Sequence, residues 1–134
     1  MDTGVKFIGI MSHEYWDNVL KLAGGDKIML HNLKAILSEL RGRLQSLYGD
    51  RLAKVILFGS QARGEATENS DIDVMVILKG DVSPSLEIAR TIDDVADISL
   101  ANDVVLSCVF MPESRYDKEQ SPLILNVHRE GLAV

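Results

Sequence analysis

The chain has 134 residues, 46% of them apolar and 25% charged, with a formal net charge of −6. That is enough for one domain around a single core, too little for two, and too apolar for global disorder. The acidic balance supplies no basic face for duplex DNA or long RNA, whose binding rests on phosphate neutralisation. A small anionic ligand stays compatible, since a bound cation reverses the local sign.

The single cysteine, Cys108, lies in an apolar stretch and reads as a small buried hydrophobe in a reducing compartment. No apolar run nears the roughly 18 residues that cross a bilayer, and no signal-peptide pattern opens the chain. A cytoplasmic protein with no membrane partner is expected.

Residues 1–31 read as a poorly defined N-terminal extension, with Met11 and Met29 as alternative starts and Gly24-Gly25 as a helix break. A short amphipathic helix is expected from Glu14 to Leu22, with Trp16, Val19 and Leu20 on one side. Residues 32–134 read as the folded domain. Leu33, Ile36, Leu37, Leu40, Leu44 and Leu47 recur at helical spacing, with Asn32 as N-cap and Gly49 as stop. Residues 54–58 form a strand, 59–70 a polar loop opening with a helical turn, and 71–78 a second strand. Lys79-Gly80-Asp81 turns the chain. Ser83-Pro84 starts a helix, proline being at home in the first turn. Its buried side is expected at Leu86, Ala89, Ile92 and Ala96, and its end near residue 99. Residues 103–111 form a third strand. After a polar segment, Ser121-Pro122 opens a last helix with Leu123, Ile124 and Val127 inward, and Leu132-Ala133-Val134 trails as an extension. The order implies an α/β (α+β) fold, a small mixed sheet with helices packed on it.

One motif carries the chemistry. Gly59-Ser60 ends the apolar run Val55-Ile56-Leu57-Phe58, and after ten residues Asp71-Ile72-Asp73 opens the run Val74-Met75-Val76-Ile77-Leu78. Residues two apart on a strand share a face, so Asp71 and Asp73 present adjacent carboxylates at a strand entrance. Such a pair is strained unless a cation sits between, and hard oxygens beside a flexible turn suit Mg²⁺ and a triphosphate. The alternative is a plain tight turn with solvated strand-end charges. Chance alone gives this spacing in roughly one chain of this size in several hundred, which favours the functional reading.

The stretch Leu57-Phe58-Gly59-Ser60-Gln61-Ala62-Arg63-Gly64-Glu65, continued by Asn69-Ser70-Asp71-Ile72-Asp73-Val74-Met75-Val76, resembles the signature of the polymerase-beta-like nucleotidyltransferase superfamily. More narrowly it is similar to the minimal nucleotidyltransferases of prokaryotes, the MNT proteins. The resemblance implies a nucleotidyltransferase fold in which Gly59 and Ser60 cradle a triphosphate. It also implies that Asp71 and Asp73 hold two Mg²⁺ ions, with a third carboxylate from a neighbouring strand. Glycine allows close backbone approach to phosphate, and Ser60 adds a hydroxyl and an N–H. Arg63 is either a phosphate clamp or a surface partner of Glu65 or Glu68. Ser70 caps or orients the turn before Asp71.

Asp103, opening the third strand, is the candidate third ligand. A solvated strand cap is the other reading, and a register shifted toward the strand centre would face Ser107 to the metals instead. Asp97 is a remoter candidate. His128-Arg129-Glu130 and the run Asp93-Asp94 are expected to be solvated helix faces.

The function implied is Mg²⁺-dependent transfer of a nucleoside monophosphate from NTP to a hydroxyl, with pyrophosphate leaving. The chain has no room for a separate acceptor-binding domain, so a partner supplies the missing wall. The resemblance implies ATP as donor and a HEPN-domain toxin as partner and acceptor, with this chain as its adenylylating antitoxin in a homo- or hetero-oligomer. Two rivals stand beside it: a weak or inactive binding module that masks a HEPN-type partner, and transfer to RNA or a small molecule.

Overall fold

The structure, a computed structural model, describes residues 6–7, 27–63 and 71–134. The helix expected at 14–22 and the loop residues 64–70, with Glu65, Glu68 and Ser70, lie outside the described residues. Two strands and a long helix open the fold: β1 (Lys6–Phe7), α1 (Lys27–Tyr48) and, after a 3₁₀ turn at Gly49–Arg51, β2 (Leu52–Phe58). A one-turn helix α2 (Ser60–Arg63), β3 (Ile72–Leu78), α3 (Pro84–Asn102) and β4 (Leu106–Pro112) follow. The chain ends with α4 (Glu113–Lys118), α5 (Pro122–Glu130) and β5 (Leu132–Ala133).

The five strands form one mixed sheet in the order β1-β5-β2-β3-β4. β3 is antiparallel to β2 and parallel to β4, so α3 is the crossover that parallel pairing demands. The expected mixed sheet with packed helices is thus borne out. Several boundaries move. α1 begins at Lys27, which places Asn32 inside the helix, and the strand of the last residues is no loose extension. Leu132 and Val134 are buried, Val134 donates its N–H to the Val55 carbonyl at 2.8 Å, and Arg41 holds the Val134 carbonyl at 2.7 Å. The segment read as polar contains α4, whose Tyr116 is fully buried.

The two faces of the sheet are covered unequally. Leu33, Ile36, Leu37, Leu40 and Leu44 of α1 pack with Ile98 of α3 on Val55, Leu57, Ile72, Val74, Val76 and Leu78. On the opposite face, among the described residues, Ile56, Met75, Ile77 and Met111 meet the short helices α4 and α5 through Tyr116, Ile124 and Val127. Leu47 and Leu123, expected inside, are 44% and 42% exposed.

The larger correction concerns α3. It buries Glu87, Thr91 and Ile98, while Leu86, Ala89, Ile92 and Ala96 point outward. A buried carboxylate needs partners, and Glu87 has them. The Tyr48 hydroxyl donates to it at 3.0 Å, Arg51 and Arg90 each approach within 3.4 Å, and Thr91 bonds its carbonyl at 2.9 Å. Arg51 also holds the carbonyls of Lys79 and Asp81, tying the turn after β3 to the start of β2. Burial and the neighbouring carboxylate push the Tyr48 phenol up, keeping it a neutral donor. Replacing Glu87 strands a buried hydroxyl, so Glu87→Ala is expected to lower unfolding free energy in urea by about 2–3 kcal/mol, and Tyr48→Phe by about 1 kcal/mol.

Candidate active site

At the end of β2 the chain turns through Gly59, whose φ of +74° is the left-handed region that a side chain disfavours. A second constraint falls on the same residue. A Cβ built at position 59 would lie 2.5 Å from Oδ2 of Asp73, closer than two unbonded atoms tolerate. Ser60 then begins α2, closed by the Arg63 N–H on the Gly59 carbonyl at 3.2 Å. The bare glycine backbone and the aspartate carboxylate therefore occupy one spot.

Strand register does the placing. Phe58 is the antiparallel partner of Asp73, and Ser107 is its parallel partner on the other side. Directly paired residues point to the same face, so Asp73 shares a face with Phe58, Ser107 and, two residues on, Met75. Asp71, exposed just before β3, belongs to the same alternation. This is the face on which α4 and α5 pack, and the carboxylates stand at the strand entrance beyond that cluster. Burial chiefly, and then the Asp71 charge, raise the Asp73 carboxyl above the usual carboxylate range, against a smaller lowering by Arg63.

The remaining candidates divide. Arg63 meets Glu130 of α5 at 3.6 Å, neither Glu65 nor Glu68 being among the described residues, and its charge reaches Asp73. Glu130 thus belongs to the surroundings of the site, which sequence spacing alone had no means of showing. Asp103 does not open a strand. It is the exposed left-handed C-cap of α3, φ 52°, with its N–H on Ser99 and Leu100, and β4 begins three residues later. The position beside Asp73 belongs to Ser107, the shifted register left open by the sequence. Asp97 pairs with Arg43 at 3.3 Å on α3, which packs on the opposite face. His128 is no solvated side chain either: it stacks on Tyr116 at 4.3 Å and bonds its carbonyl through Nε2 at 2.9 Å. Cys108 packs against the core as expected, and burial pushes its thiol up to about 12.

The donor set fits a hard divalent cation. Two carboxylates crowd one strand face, and a cation between them would relieve the repulsion recorded in Asp73. Among the described residues no group of three His, Cys, Asp or Glu side chains converges, and Asp71 and Asp73 are the two carboxylates that the motif sets at this strand entrance.

The raised Asp73 carboxyl gives a stability test. Its protonated form is favoured by the fold, so its ionisation costs stability as pH rises from the ordinary carboxylate value through the raised one. In metal-free buffer Asp73→Asn should melt a few degrees higher than the parent at neutral pH. The gap should close below about pH 4, where both states are neutral.

Comparison with known proteins gives the family. The family model described as "Nucleotidyltransferase domain" matches residues 37–125. MJ0604 of Methanocaldococcus jannaschii, a proposed protein adenylyltransferase, is 35% identical over 88 residues, 66% of this chain and 82% of that protein. MJ1305 of the same organism, named likewise, is 36% identical over 75% of this chain, which spans 57% of its length. Among solved structures, a toxin–antitoxin crystallised with AMP-PNP superposes with a TM-score of 0.50 at 24% identity, over 69% of this chain and 68% of that one, a likeness of fold. With most of its length matched by the family model and a relative above 30% identity covered over four fifths, this chain belongs to the nucleotidyltransferase domain family.

Proposed function

We propose that this nucleotidyltransferase transfers AMP from ATP to a hydroxyl on a partner protein, a HEPN-domain toxin, and so acts as its antitoxin. The observation that carries the reading is the coincidence of Gly59 and the Asp73 carboxylate, with Asp71 on the same face. A triphosphate lying along the Gly59-Ser60 backbone would have its oxygens beside both aspartates. Asp71 and Asp73 would hold Mg²⁺, which supplies charge neutralisation at the phosphates when bound. Gly59 and Ser60 orient the triphosphate through backbone N–H groups and the serine hydroxyl, leaving the α-phosphorus open to attack in line. Arg63, steered by Glu130, adds positive charge at the rim. The names of the Methanocaldococcus relatives support a protein acceptor, and the toxin–antitoxin neighbour supports a toxin as that protein.

One observation favours the masking reading. Ser107, not a carboxylate, faces Asp73, and a neutral hydroxyl is a poor ligand for Mg²⁺ and a poor base. Slow transfer combined with tight partner binding is the form in which both readings meet.

Incubation with α-labelled ATP, Mg²⁺ and a HEPN-type protein offered as the partner tests the proposal. Label is expected on that protein, falling by about a hundredfold or more with Asp71→Ala or Asp73→Ala. Suppression of the toxin that survives both substitutions, with no label transferred, establishes masking instead. A second measurement isolates the metal site. Ser107→Asp places a third charge beside Asp73, so its melting temperature should fall in chelator. In Mg²⁺ it should rise above the parent, with affinity gained on the order of tenfold. Ser107→Ala should leave both nearly unchanged.

A further inference from the structure

We infer that the outward face of α3, a stripe of Ile88, Ala89, Ile92, Ala96 and Leu100 bordered by Asp93 and Asp97, is a docking surface for an apolar helix of a partner protein flanked by lysine or arginine. Stepping 100° per residue from Glu87, these five positions span about a third of the helix circumference, opposite the side that buries Glu87, Thr91 and Ile98. Ile88, Ile92 and Leu100 are 49%, 56% and 82% exposed, and the two alanines between them leave the stripe flat enough for close approach. An aligned apolar stripe of about three turns on the surface is the signature of an interaction face, since scattered exposed residues do not align.

Charge selects the occupant. Asp93 and Asp97 edge the stripe, and Asp97 with Asp94 and Glu39 share one guanidinium, Arg43, at 3.3, 3.0 and 2.9 Å. That rim is net negative, and beside it a groove of about 660 Å³ runs between α1 and α3 over Gly42, where a built side chain meets nothing within 4 Å. A second copy would set one acidic row against another. Residues 8–26 carry Glu14, Asp17 and Asp26 against Lys21 and are no better matched. A basic amphipathic helix satisfies both the apolar stripe and its border.

The surface is separate from the transfer site, and its test does not depend on catalysis. The full chain is titrated against a fluorescein-labelled synthetic amphipathic peptide with leucines on one stripe and lysines flanking it, and against a twin with glutamates in place of the lysines. The lysine peptide should bind at least about tenfold tighter than the twin, and binding should weaken several-fold as salt rises from 50 to 200 mM, values of the size that screened surface charges give. Ile88→Ser/Ile92→Ser should weaken it by about tenfold or more, given the area each isoleucine would bury. Asp93→Asn/Asp97→Asn should flatten the salt dependence, and Asp73→Asn should change nothing. Equal binding of both peptides, or binding indifferent to the isoleucine pair, overturns the proposal. So does a concentration-dependent dimer in sedimentation that Ile92→Ser disperses, because a second copy would then be the occupant.

Discussion

The site depends on one missing side chain. At Gly59 the backbone must turn through positive φ, and the volume a Cβ would fill is taken by Oδ2 of Asp73. Either demand alone restricts the position, and together they leave glycine. Because the carboxylate sits against the turn, anything bound along that backbone is in contact with Asp73 as well. The coupling brings the two halves of the motif, fourteen positions apart, into contact. It also explains the raised Asp73 carboxyl: the turn that shields it from water is the turn a phosphate would use, so the protein carries an electrostatic cost that a bound cation removes.

Among the described residues the two faces of the sheet are covered unequally, and the site stands on the one with the shorter helices. Two long helices seal one face, and strand alternation sends Val55, Leu57, Val74 and Val76 into them. On the other face, among the described residues, α4 and α5 pack, and Tyr116, Ile124 and Val127 cover its middle. Asp73 and Ser107 stand beyond that patch, at the strand ends. Gly131 fixes how near α5 can come, since a Cβ there would meet the Val127 carbonyl at 2.4 Å and Ile56 at 2.7 Å. Close docking of α5 in turn delivers Glu130 to Arg63, so core packing sets the charge at the rim of the site.

The motif was legible in the sequence because each part of it is local. A glycine-serine pair after an apolar run and two aspartates before another fix their own strand ends, and alternation fixes their common face. The strands β2 and β3, the turn at α2 and the proline starts of α3 and α5 follow from the same short-range rules. What failed was direction and register. The stripe Leu86, Ala89, Ile92, Ala96 has helical period, but a period states that residues share a face and not which way it points. Glu87 went unread because its burial depends on Tyr48 and Arg51, which come from elements about 40 residues away. Asp103 failed for a related reason: its left-handed cap geometry and the late start of β4 are set by how α3 ends, and a polar residue before a β-branched run looks the same in either case.

The misplaced stripe and the misplaced carboxylate bear on each other. A chain that assembled a complete site within itself would be expected to complete its own ligand set and hide its own apolar faces. Here the strand position facing Asp73 is a serine, and the crossover helix shows an aligned apolar stripe to solvent. Burying a carboxylate under α3 while leaving isoleucines outside reverses the usual order of hydrophobicity, and it is tolerable because Tyr48, Arg51 and Arg90 satisfy the carboxylate. The inner face of α3 is therefore stabilised by polar contacts, and its outer face is left free to pack on something else. Both departures agree with the proposal of a second protein that packs against this chain.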